Sequence, residues 1–373
     1  MKVSISNEKL LEALAMVASV AEKKQVMPVL SHLYFSVKNN RITFIASDTE
    51  VEVTCYLALE GDSPDMTGTI PARKFLGICR SFPSDGMVDI NYEDGHFVIS
   101  CGQSRFELSS LPPEDFPIME APAEEERKIK LSIEKKALVT YLNTVTSCMA
   151  RNDVRFYLNG VLFDFGKEGL SLVATDGHRL AVVSHNTPQL SQEDVKCIVP
   201  QKGVMEMIRL LGNFDEETEL VFYSNFLQIS SESFSYSCKL IDAPFPDYNR
   251  VIPSDTKHEV VADVAALRSG LNRCAILGQD SGEKHHRVEL NLSQGNMHLF
   301  STNKNEEKMN DDVAVEYSGE DMNIKFNVFY ILDILNALKD GAVSINLSDG
   351  NSSALLHKQG EKDTQFVVMP MKI

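Results

Sequence analysis

The feature that most constrains this chain is a threefold repeat in the way its strand-like runs end. Asp48, Asp176 and Asn303 each close such a run, in the triplets ASD, ATD and STN, at intervals of 128 and 127 residues. A fixed interval of this kind arises when a chain builds the same structural unit several times. The sequence therefore predicts three similar modules in tandem.

Two further sets of positions keep this spacing. One set precedes a helical pattern in every repeat and consists of Pro71, Pro200 and Asn327. The other lies on the helical pattern that opens every repeat and consists of Leu11, Leu138 and Leu267. We expect domains at residues 1–126, 127–253 and 254–373, because each of these stretches is long enough to bury a core of its own.

Hydrophobic periodicity predicts the same order of elements in each repeat, namely helix, strands, helix, strands. In the first repeat, Ser6 or Asn7 can cap a helix whose apolar positions fall on one face. Later, alternating apolar residues lead into Asp94-Gly95, the strongest short signal for a β-hairpin. Asp349-Gly350 holds the corresponding place in the third repeat. The expected fold class is α+β, with two helices packed on antiparallel sheets in each of three similar domains.

Composition excludes several classes of protein. The chain is 43% hydrophobic with a mean hydropathy of −0.14, and none of its apolar runs approaches the roughly 18 residues that a membrane helix needs. It opens directly on an amphipathic pattern, without a signal peptide, so we expect a cytoplasmic protein. Its net charge of −17 argues against a nucleic-acid partner only in bulk, because a net count does not say where the charges lie.

The cysteines and histidines do not form a metal-binding pattern. Seven cysteines are scattered singly, without CxxC pairs, as expected of reduced and mostly buried thiols. His285-His286 is the only adjacent histidine pair in the sequence, and it lacks further ligands at metal-binding spacing. We expect no metal and no cofactor.

The repeat also sets the bore of a ring that such modules could form, if they follow one another around an arc with their helices on the inner face. Neighbouring helices pack about 10 Å apart, so six helices close a circle of roughly 60 Å circumference with a bore of about 9 Å. Twelve helices give a circumference of about 120 Å and a bore of about 28 Å, wide enough for duplex DNA. A ring around DNA therefore needs two chains.

Five segments spread over the three repeats resemble one known family. They are IPARKF at 70–75, FYLNG at 156–160, ATDGHRL at 174–180, FPDY at 245–248 and VVMPM at 367–371. Together they resemble the beta subunit of bacterial DNA polymerase III, the family of sliding clamps, over the whole chain. The resemblance implies half of a six-domain ring, closed as a head-to-tail homodimer around duplex DNA, which holds DNA without reading its sequence and catalyses no reaction. It also implies partners that bind through short peptide motifs: the DNA polymerase III catalytic subunit, the clamp loader and other DNA polymerases or repair proteins.

By the same resemblance, one groove receives the peptide motifs of the partners. The implied groove residues are Leu158, Thr175, Gly177, His178, Arg179, Leu180, Pro246, Arg250, Val251, Ser353, Val367, Val368, Met369, Pro370 and Met371. Methionines suit such a groove because they are flexible and polarizable. From the residues alone, the C-terminal Val-Val-Met run is also consistent with an ordinary core strand at the end of the third repeat.

The resemblance further implies DNA contacts and a dimer interface. The DNA candidates are Lys24, Arg73, Arg80, Asn152, Arg155, Phe156, Tyr157 and Lys202. Arg73 and Lys202 hold matching places near the start of the second helix in the first two repeats. The interface candidates are Lys74, Arg105, Phe106 and Leu108 in the first domain and Ile276, Leu277, Glu306 and Glu307 in the third. The alternative for each set is an ordinary surface charge or an ordinary strand residue.

Asp176 and His178 suggest an alternative function. Their side chains could form the acid-base dyad of a metal-dependent hydrolase, with Arg179 holding an anion. The competing interpretation is a hairpin turn, because Asp176-Gly177 is a turn sequence flanked by alternating apolar residues. The sequence contains no GxSxG, Walker A or GxGxxG motif, and the Asp176 and His178 pair does not recur in the other repeats.

The chain departs from the family pattern at a few of these places. Phe156 stands where tyrosine is frequent, and Lys24 stands where arginine is frequent. Asn351 occupies an often apolar groove position, and the chain ends Lys372-Ile373 rather than Arg-Leu. Lysine offers a point charge where arginine offers a forked donor. These departures bear on partner and DNA preference and leave the expected fold unchanged.

Overall fold

The computed structural model describes residues 2–21, 27–60, 63–120, 123–167, 169–188, 194–212, 216–279 and 286–371. Within these residues the chain forms six α-helices and 24 β-strands. None of the helices found there is long and apolar enough to cross a membrane. The chain divides into two units, the first made of residues 1–136 and 205–240 and the second of residues 137–204 and 241–373.

Every repeat has the same order of elements: one strand, a helix, four strands, a second helix and three strands. The helices are α1 (Asn7–Val17), α2 (Ala72–Ser81), α3 (Lys135–Thr146), α4 (Gln201–Leu211), α5 (Val264–Gln279) and α6 (Val328–Leu338). The expected order is confirmed, with one addition, because a short strand precedes the first helix of each repeat. The α+β class with antiparallel sheets is confirmed as well.

The strands of the first repeat form two four-stranded antiparallel sheets. The first sheet contains, in spatial order, β1 (Lys2–Ser6), β6 (Met87–Glu93), β7 (His96–Cys101) and β8 (Ser104–Ser109). The second contains β5 (Met66–Pro71), β2 (His32–Lys38), β3 (Arg41–Ser47) and β4 (Val51–Ala58).

The other two repeats build the same pair of sheets. In the second repeat, the first sheet contains β9 (Arg127–Glu134), β14 (Glu217–Tyr223), β15 (Phe226–Ser230) and β16 (Phe234–Lys239). The second sheet contains β13 (Val195–Pro200), β10 (Gly160–Gly166), β11 (Gly169–Thr175) and β12 (Arg179–His185). In the third repeat, the first sheet contains β17 (His258–Asp263), β22 (Ala342–Leu347), β23 (Ala354–Lys358) and β24 (Thr364–Val368). The second sheet contains β21 (Met322–Asn327), β18 (Arg287–Ser293), β19 (Asn296–Thr302) and β20 (Lys308–Glu316).

Sheets of successive repeats are joined edge to edge. In the first unit, β16 pairs antiparallel with β4 and creates an eight-stranded sheet. In the second unit, β24 pairs antiparallel with β12, and two residue pairs link β17 to β20, which creates a twelve-stranded sheet. Each joint sets an aromatic residue opposite an aliphatic one, since Tyr236 faces Val53 and Phe366 faces Ala181.

The start of α1 shows which of two candidate residues caps the helix. The Ser6 side chain accepts a hydrogen bond from the Lys9 N–H at 3.4 Å and is the N-cap. Asn7 is fully buried instead, and its amide donates to three backbone carbonyls at the end of α2, at 2.9 to 3.3 Å. Asn7 therefore ties the start of α1 to the end of α2 in the first repeat.

Two turns with the same sequence signal adopt different structures. Asp94 and Gly95 both have positive φ angles, 47° and 79°, as the tight type I′ hairpin requires. Asp349-Gly350 begins a longer connection between β22 and β23, in which the Asp349 carboxylate accepts from the N–H groups of Asn351 (2.7 Å) and Ser352 (2.8 Å). The turn expected in the third repeat therefore joins an antiparallel hairpin, and a side-chain cap organises its longer loop.

Cysteine and histidine side chains serve the core. Six of the seven cysteines are buried and Cys101 is half-buried, and burial raises the pKa of Cys79 to about 12. His286 is also buried, with its Nε2 2.6 Å from the Ser301 hydroxyl, whereas His285 lies outside the described residues. Among the described residues, no three His, Cys, Asp or Glu side chains are grouped so that they could hold a metal ion.

Glu52 is a buried acid in the joint between β4 and β16. Glu52 on β4 is 7% exposed, and its carboxyl accepts a hydrogen bond from the Met119 N–H at 2.8 Å. Burial raises its pKa to about 7, and this hydrogen bond opposes the rise only in part. The folded protein therefore favours the neutral acid.

We expect Glu52→Gln to change how stability depends on pH. Because the folded pKa of about 7 lies above the ordinary 4.5, the wild type loses stability as pH rises through this window, while glutamine has no proton to lose. The advantage of the variant should grow to about 3 kcal/mol. Urea unfolding followed from about pH 4 to pH 8 measures it, with Glu8→Gln, at an exposed position of α1, as the control. Parallel curves for wild type and Glu52→Gln would contradict a raised pKa.

Candidate functional site

An apolar groove lies in the second unit, beside the turn that joins β11 to β12. Its volume is about 200 Å³. The lining comes from the 155–158 turn, the β11–β12 turn, the stretch 245–251 and the end of β24. The residues are Arg155, Tyr157, Leu158, Thr175, Gly177, His178, Arg179, Leu180, Phe245, Pro246, Asp247, Tyr248, Val251, Val367 and Met369.

The floor of the groove belongs to a packed core. Leu180, Tyr248 and Val367 line the groove and are also members of a buried cluster. The remaining members of that cluster come from β10, β11, β12 and β13 and are Leu162, Val173, Val182 and Ile198. Since packed side chains occupy defined rotamers, the groove is formed before any ligand arrives.

Tyr248 fixes the stretch 245–251 to the sheet. Its hydroxyl donates a hydrogen bond to Asp164 Oδ2 on β10 at 3.0 Å, and the Lys196 ammonium lies 3.2 Å from the same oxygen. Burial, together with the negative charge of Asp164, raises the pKa of Tyr248 to about 12. The Tyr248 hydroxyl therefore remains a hydrogen-bond donor, and its aromatic ring forms part of the groove floor.

The β11–β12 turn is organised by its own side chains. The Thr175 hydroxyl donates to the Arg179 carbonyl at 2.6 Å and accepts from the Gly177 N–H at 3.0 Å. Asp176 Oδ1 accepts from the N–H groups of His178 (2.9 Å) and Arg179 (3.0 Å). Gly177 has a φ of +87°, and a Cβ there would lie 2.9 Å from Arg155 Nη1. The positive φ favours glycine here, and a larger residue would also displace the Arg155 guanidinium.

Arg179 connects the turn to α6. Its Nε lies 3.0 Å from Asp176 Oδ2, and its Nη1 lies 2.6 Å from Asp333 Oδ2. The guanidinium carbon lies 4.5 Å from the centroid of the Tyr330 ring. Burial alone would lower the pKa of Arg179, but Cys148 and the two carboxylates raise it above its ordinary value. The side chain therefore stays charged and holds one wall of the groove against the helix.

These contacts decide between the two interpretations of Asp176 and His178. Both Asp176 oxygens are engaged by the turn and by Arg179. The exposed His178 ring stacks on Tyr330, with centroids 6.2 Å apart and planes at 24°. The segment is a structural turn that presents His178 at the groove, and the hydrolase alternative has no support.

The C-terminal segment combines a core strand with a groove wall. β24 ends at Val368, which is fully buried. Met369 then donates its N–H to the His178 carbonyl at 2.9 Å and is 40% exposed beside the groove. Met371 donates its N–H to the Lys325 carbonyl at 2.8 Å. The tail is therefore a core strand as far as Val368 and a groove wall at Met369.

Comparison with known proteins covers the whole chain. Family models of the DNA polymerase III beta subunit match in order, the N-terminal domain at residues 1–120, the central domain at 132–247 and the C-terminal domain at 249–372. The chain is 39% identical to the beta sliding clamp of Pseudomonas aeruginosa and 34% identical to that of Escherichia coli, across 100% of both chains in each case. It belongs to the DNA polymerase III beta subunit family.

Solved clamp structures agree with this assignment. A crystal structure of the DNA polymerase III beta subunit from Pseudomonas aeruginosa has a TM-score of 0.94 at 38% identity, with all of both chains covered. A DNA polymerase sliding clamp from Caulobacter crescentus has a TM-score of 0.92 at 28% identity, again over 100% of both chains. Another structure shows the Pseudomonas aeruginosa clamp bound to griselimycin. The expectation of three similar clamp domains is confirmed.

The structure divides the clamp groove candidates into two groups. Those that line the groove are Leu158, Thr175, Gly177, His178, Arg179, Leu180, Pro246, Val251, Val367 and Met369. Those outside its lining are Arg250, Ser353, Val368, Pro370 and Met371. Arg250 is exposed and ion-paired with Asp247 at 2.9 Å. Val368 lies on the other face of β24 from the groove residue Val367, because alternate residues of a strand face opposite ways. A binding role for each candidate stays a prediction.

Sequence reasoning missed several groove residues. Phe245, Asp247 and Tyr248 line the groove, whereas Pro246 is the only residue of the FPDY motif at 245–248 among the sequence-based candidates. The FPDY motif itself was the available signal. Arg155 and Tyr157 were candidates for DNA contact, and the structure places both in the groove lining as well.

The basic DNA candidates occupy equivalent helix positions. Arg73 is the second residue of α2 and Lys202 is the second residue of α4, as the repeat predicted. Arg73 and Arg80 are both exposed on α2, seven residues apart and so on one face. Lys24 lies outside the described residues. DNA contact by these side chains stays a prediction.

The remaining DNA candidates follow α3. Asn152, with a φ of 57°, and Phe156, which is 57% exposed, present their side chains to solvent. Arg155 is held by Asp153, with its Nη2 2.9 Å from Oδ2, and donates to the Asp176 carbonyl at 3.1 Å. The hydrogen bonds from Arg155 lower the pKa of Asp153 to about 2. Arg155 therefore supports the groove turn directly.

Of the eight interface candidates, Leu108 is buried, Leu277 is half-buried and the other six are exposed. In the first unit they are Lys74 on α2 and Arg105, Phe106 and Leu108 on β8, with the Phe106 ring 5.9 Å from that of Phe82. In the second unit they are Ile276 and Leu277 near the end of α5 and Glu306 and Glu307 before β20. Phe106 is 38% exposed and Ile276 is 58% exposed. A role in dimerisation stays a prediction for all eight.

Substitution of Gly177 tests how tightly the turn is built. Gly360 is a matched control because its φ is +82° and a Cβ at that position would have no neighbour within 4 Å, whereas a Cβ at Gly177 meets Arg155. Gly360→Ala should cost about 1–2 kcal/mol from backbone strain, and Gly177→Ala should cost more because the added Cβ displaces the Arg155 guanidinium from its contacts with Asp153 and the turn. Urea unfolding of the second unit measures both losses. Equal losses would mean that Arg155 moves aside freely.

Proposed function

We propose that two copies of this chain close head to tail into a ring that encircles duplex DNA and tethers the replicative polymerase and other DNA-processing proteins to it. The observation that carries this proposal is the match to the DNA polymerase III beta subunit family in all three repeats and over the full length of the chain. The relatives are beta sliding clamps. The protein confers processivity and catalyses no reaction.

The ring holds DNA by topology and only weakly by contact. Exposed Arg73 and Arg80 on α2 and Lys202 at the start of α4 support contacts to phosphates, which carry no sequence information. Asn152 and Phe156 add exposed groups beside α3. The net charge of −17 keeps the outer surface from holding nucleic acid strongly. A clamp that must slide benefits from this weakness, because every strong phosphate contact would slow it.

The groove receives short peptide motifs of partner proteins. Its apolar floor is packed in advance, and Met369 at its edge can adapt to different side chains. A volume of about 200 Å³ is below that of a pocket for a drug-sized ligand, and it suits one or two side chains of a peptide. The proposed partners are the DNA polymerase III catalytic subunit, the clamp loader and other DNA polymerases or repair proteins.

Domain limits and location follow from the same proposal. We assign the domains to residues 1–126, 127–253 and 254–373, since β9 begins at Arg127 and β17 begins at His258. Within the described residues, each domain then holds eight strands and two helices. A protein that encircles the bacterial chromosome works in the cytoplasm, which is where we place this one.

A retention experiment tests encirclement. The protein is loaded onto nicked circular plasmid DNA with a clamp loader, and half of the sample is linearised with a restriction enzyme. We expect the protein to remain on the circles and to be lost from the linear molecules, because a ring can slide off an end. Gel filtration of the labelled protein measures retention. Equal loss from both forms would count against encirclement.

A second experiment tests the groove. Met369→Ala removes a flexible apolar wall and should weaken binding of a clamp-binding peptide from the DNA polymerase III catalytic subunit by roughly tenfold, about 1.4 kcal/mol. Met87→Ala is the matched control, since Met87 is also exposed but lies in the first unit. Fluorescence anisotropy of the labelled peptide gives both affinities. An unchanged affinity for Met369→Ala would remove this residue from the binding site.

A further inference from the structure

Among the sheet edges that are unpaired within the described residues, two have equivalents that pair with another strand in the other repeats. β8 is the last strand of its sheet. β20 pairs with β19 along one side, but on its other side only Val315 and Glu316 pair with β17. The outer edge of β20 from Lys308 to Ala314 is therefore open. Open edges present unpaired N–H and C=O groups that attract another strand.

The open edges correspond to strands that pair elsewhere in the chain. β8, β16 and β24 are the last strands of the three repeats, and β4, β12 and β20 are the fourth strands of the repeats, counted with the leading strand. In both observed joints, the last strand of a repeat pairs with the β4-type strand of the preceding repeat. Since β8 has no preceding repeat and β20 has no following one, the third joint of this kind requires a second copy.

The register of β8 against β20 of a second copy follows from two sets of equivalent residues. The first set is the aromatic residue of each last strand. In the hairpins that end the repeats, the aromatic residue of the last strand faces an aliphatic residue of the strand before it. These pairs are Phe106 with Ile99, Tyr236 with Ile229 and Phe366 with Leu356. Phe106 is therefore the equivalent of Tyr236 and Phe366.

The second set of equivalent residues lies on β4, β12 and β20, in the hairpins that contain the repeated ASD, ATD and STN triplets. The first residue of each triplet faces one residue of the following strand, giving the pairs Ala46 with Val53, Ala174 with Ala181 and Ser301 with Met309. Met309 is therefore the equivalent of Val53 and Ala181. Since Tyr236 faces Val53 and Phe366 faces Ala181, Phe106 faces Met309 of a second copy.

This register sets two opposite charges against each other. With Phe106 opposite Met309 in an antiparallel pair, Glu107 lies directly opposite Lys308. Both residues are exposed, and neither forms an ion pair with another described residue. Directly opposite residues have Cβ atoms about 5 Å apart, which is within reach of these two long side chains.

The two charges also lie on the same face of the sheet. Phe106 packs on Phe82 at the end of α2, and Met309 Sδ lies 3.4 Å from Cys274 Sγ on α5, so both point to the helix side. Adjacent residues of a strand face the opposite way. Glu107 and Lys308 therefore both point to the face away from the helices, where they can meet.

We propose that Glu107 and Lys308 form an ion pair between two copies of this chain, once at each of the two joints of the ring, and that this pair selects the partner copy. The inference rests on the proposed ring and adds to it the register and the residues that determine specificity. Phe106 against Met309 supplies the apolar centre of the joint, and the charge pair rejects a partner with the wrong charge at either position.

Charge reversal tests the pair. Glu107→Lys sets lysine opposite lysine at both joints of a homodimer, and Lys308→Glu sets glutamate opposite glutamate. Each variant should dissociate at least about tenfold more readily than the wild type, which corresponds to about 1.4 kcal/mol. When the two variants are mixed, both joints of a heterodimer carry opposite charges, one in the wild-type arrangement and one reversed. The mixture should therefore recover a stable dimer, and a mixture that stays dissociated would contradict the pair.

Further variants isolate the pair from general effects of charge. The double variant Glu107→Lys with Lys308→Glu restores opposite charges and should recover a stable homodimer. Glu93→Lys makes the same charge change on an exposed residue of the same sheet, away from the β8 edge, and should not alter dimer affinity. Because salt screens exposed charges, the difference between single and double variants should decline as the salt concentration rises.

The outcomes separate the inference from the proposed ring. If the wild type is monomeric at every concentration tested, the ring proposal fails. If the wild type is a dimer but the single reversals keep its affinity, the ring stands and the Glu107–Lys308 pair is overturned. Circular dichroism identifies a variant that fails to fold. In that case the double variant and the milder Glu107→Gln, which should also weaken the dimer, keep the test decisive.

Discussion

The structure depends on antiparallel pairing between edge strands of successive repeats. An edge strand exposes backbone donors and acceptors that must find partners, and each joint satisfies two edges at once while covering Tyr236 or Phe366. Three repeats in one chain can make only two such joints between neighbours. The pairing that builds the protomer therefore leaves β8 and the outer edge of β20 open, and these edges are suited to a second copy.

The groove is a consequence of the second joint. Pairing of β12 with β24 sets Arg179 opposite Val368, so the turn that begins at Asp176 meets the chain just beyond β24, at Met369. Arg179 then extends the support to α6 through Asp333. Peptide recognition thus uses backbone geometry that the fold needs in any case, with a few side chains added to shape the opening.

Acidity and DNA binding are compatible because the proposed mechanism does not require high affinity. A net charge of −17 repels DNA at long range, while a few exposed basic residues such as Arg73 and Arg80 can contact phosphates at short range. Weak contacts permit sliding, and closure of the ring prevents escape. The joint between copies therefore matters more for retention than any single DNA contact.

The amino-acid sequence determined the number of repeats, the order of elements and the Asp94-Gly95 hairpin, because local periodicity and turn chemistry specify these features. Its motifs also indicated most groove residues. Only the tertiary structure decided that Arg179 reaches Asp333, 154 residues away, that Tyr157 joins the groove, and that Asp349-Gly350 opens into a longer loop. The reason is physical: strand pairing and burial between distant segments depend on the neighbours that folding supplies, and no local pattern encodes them.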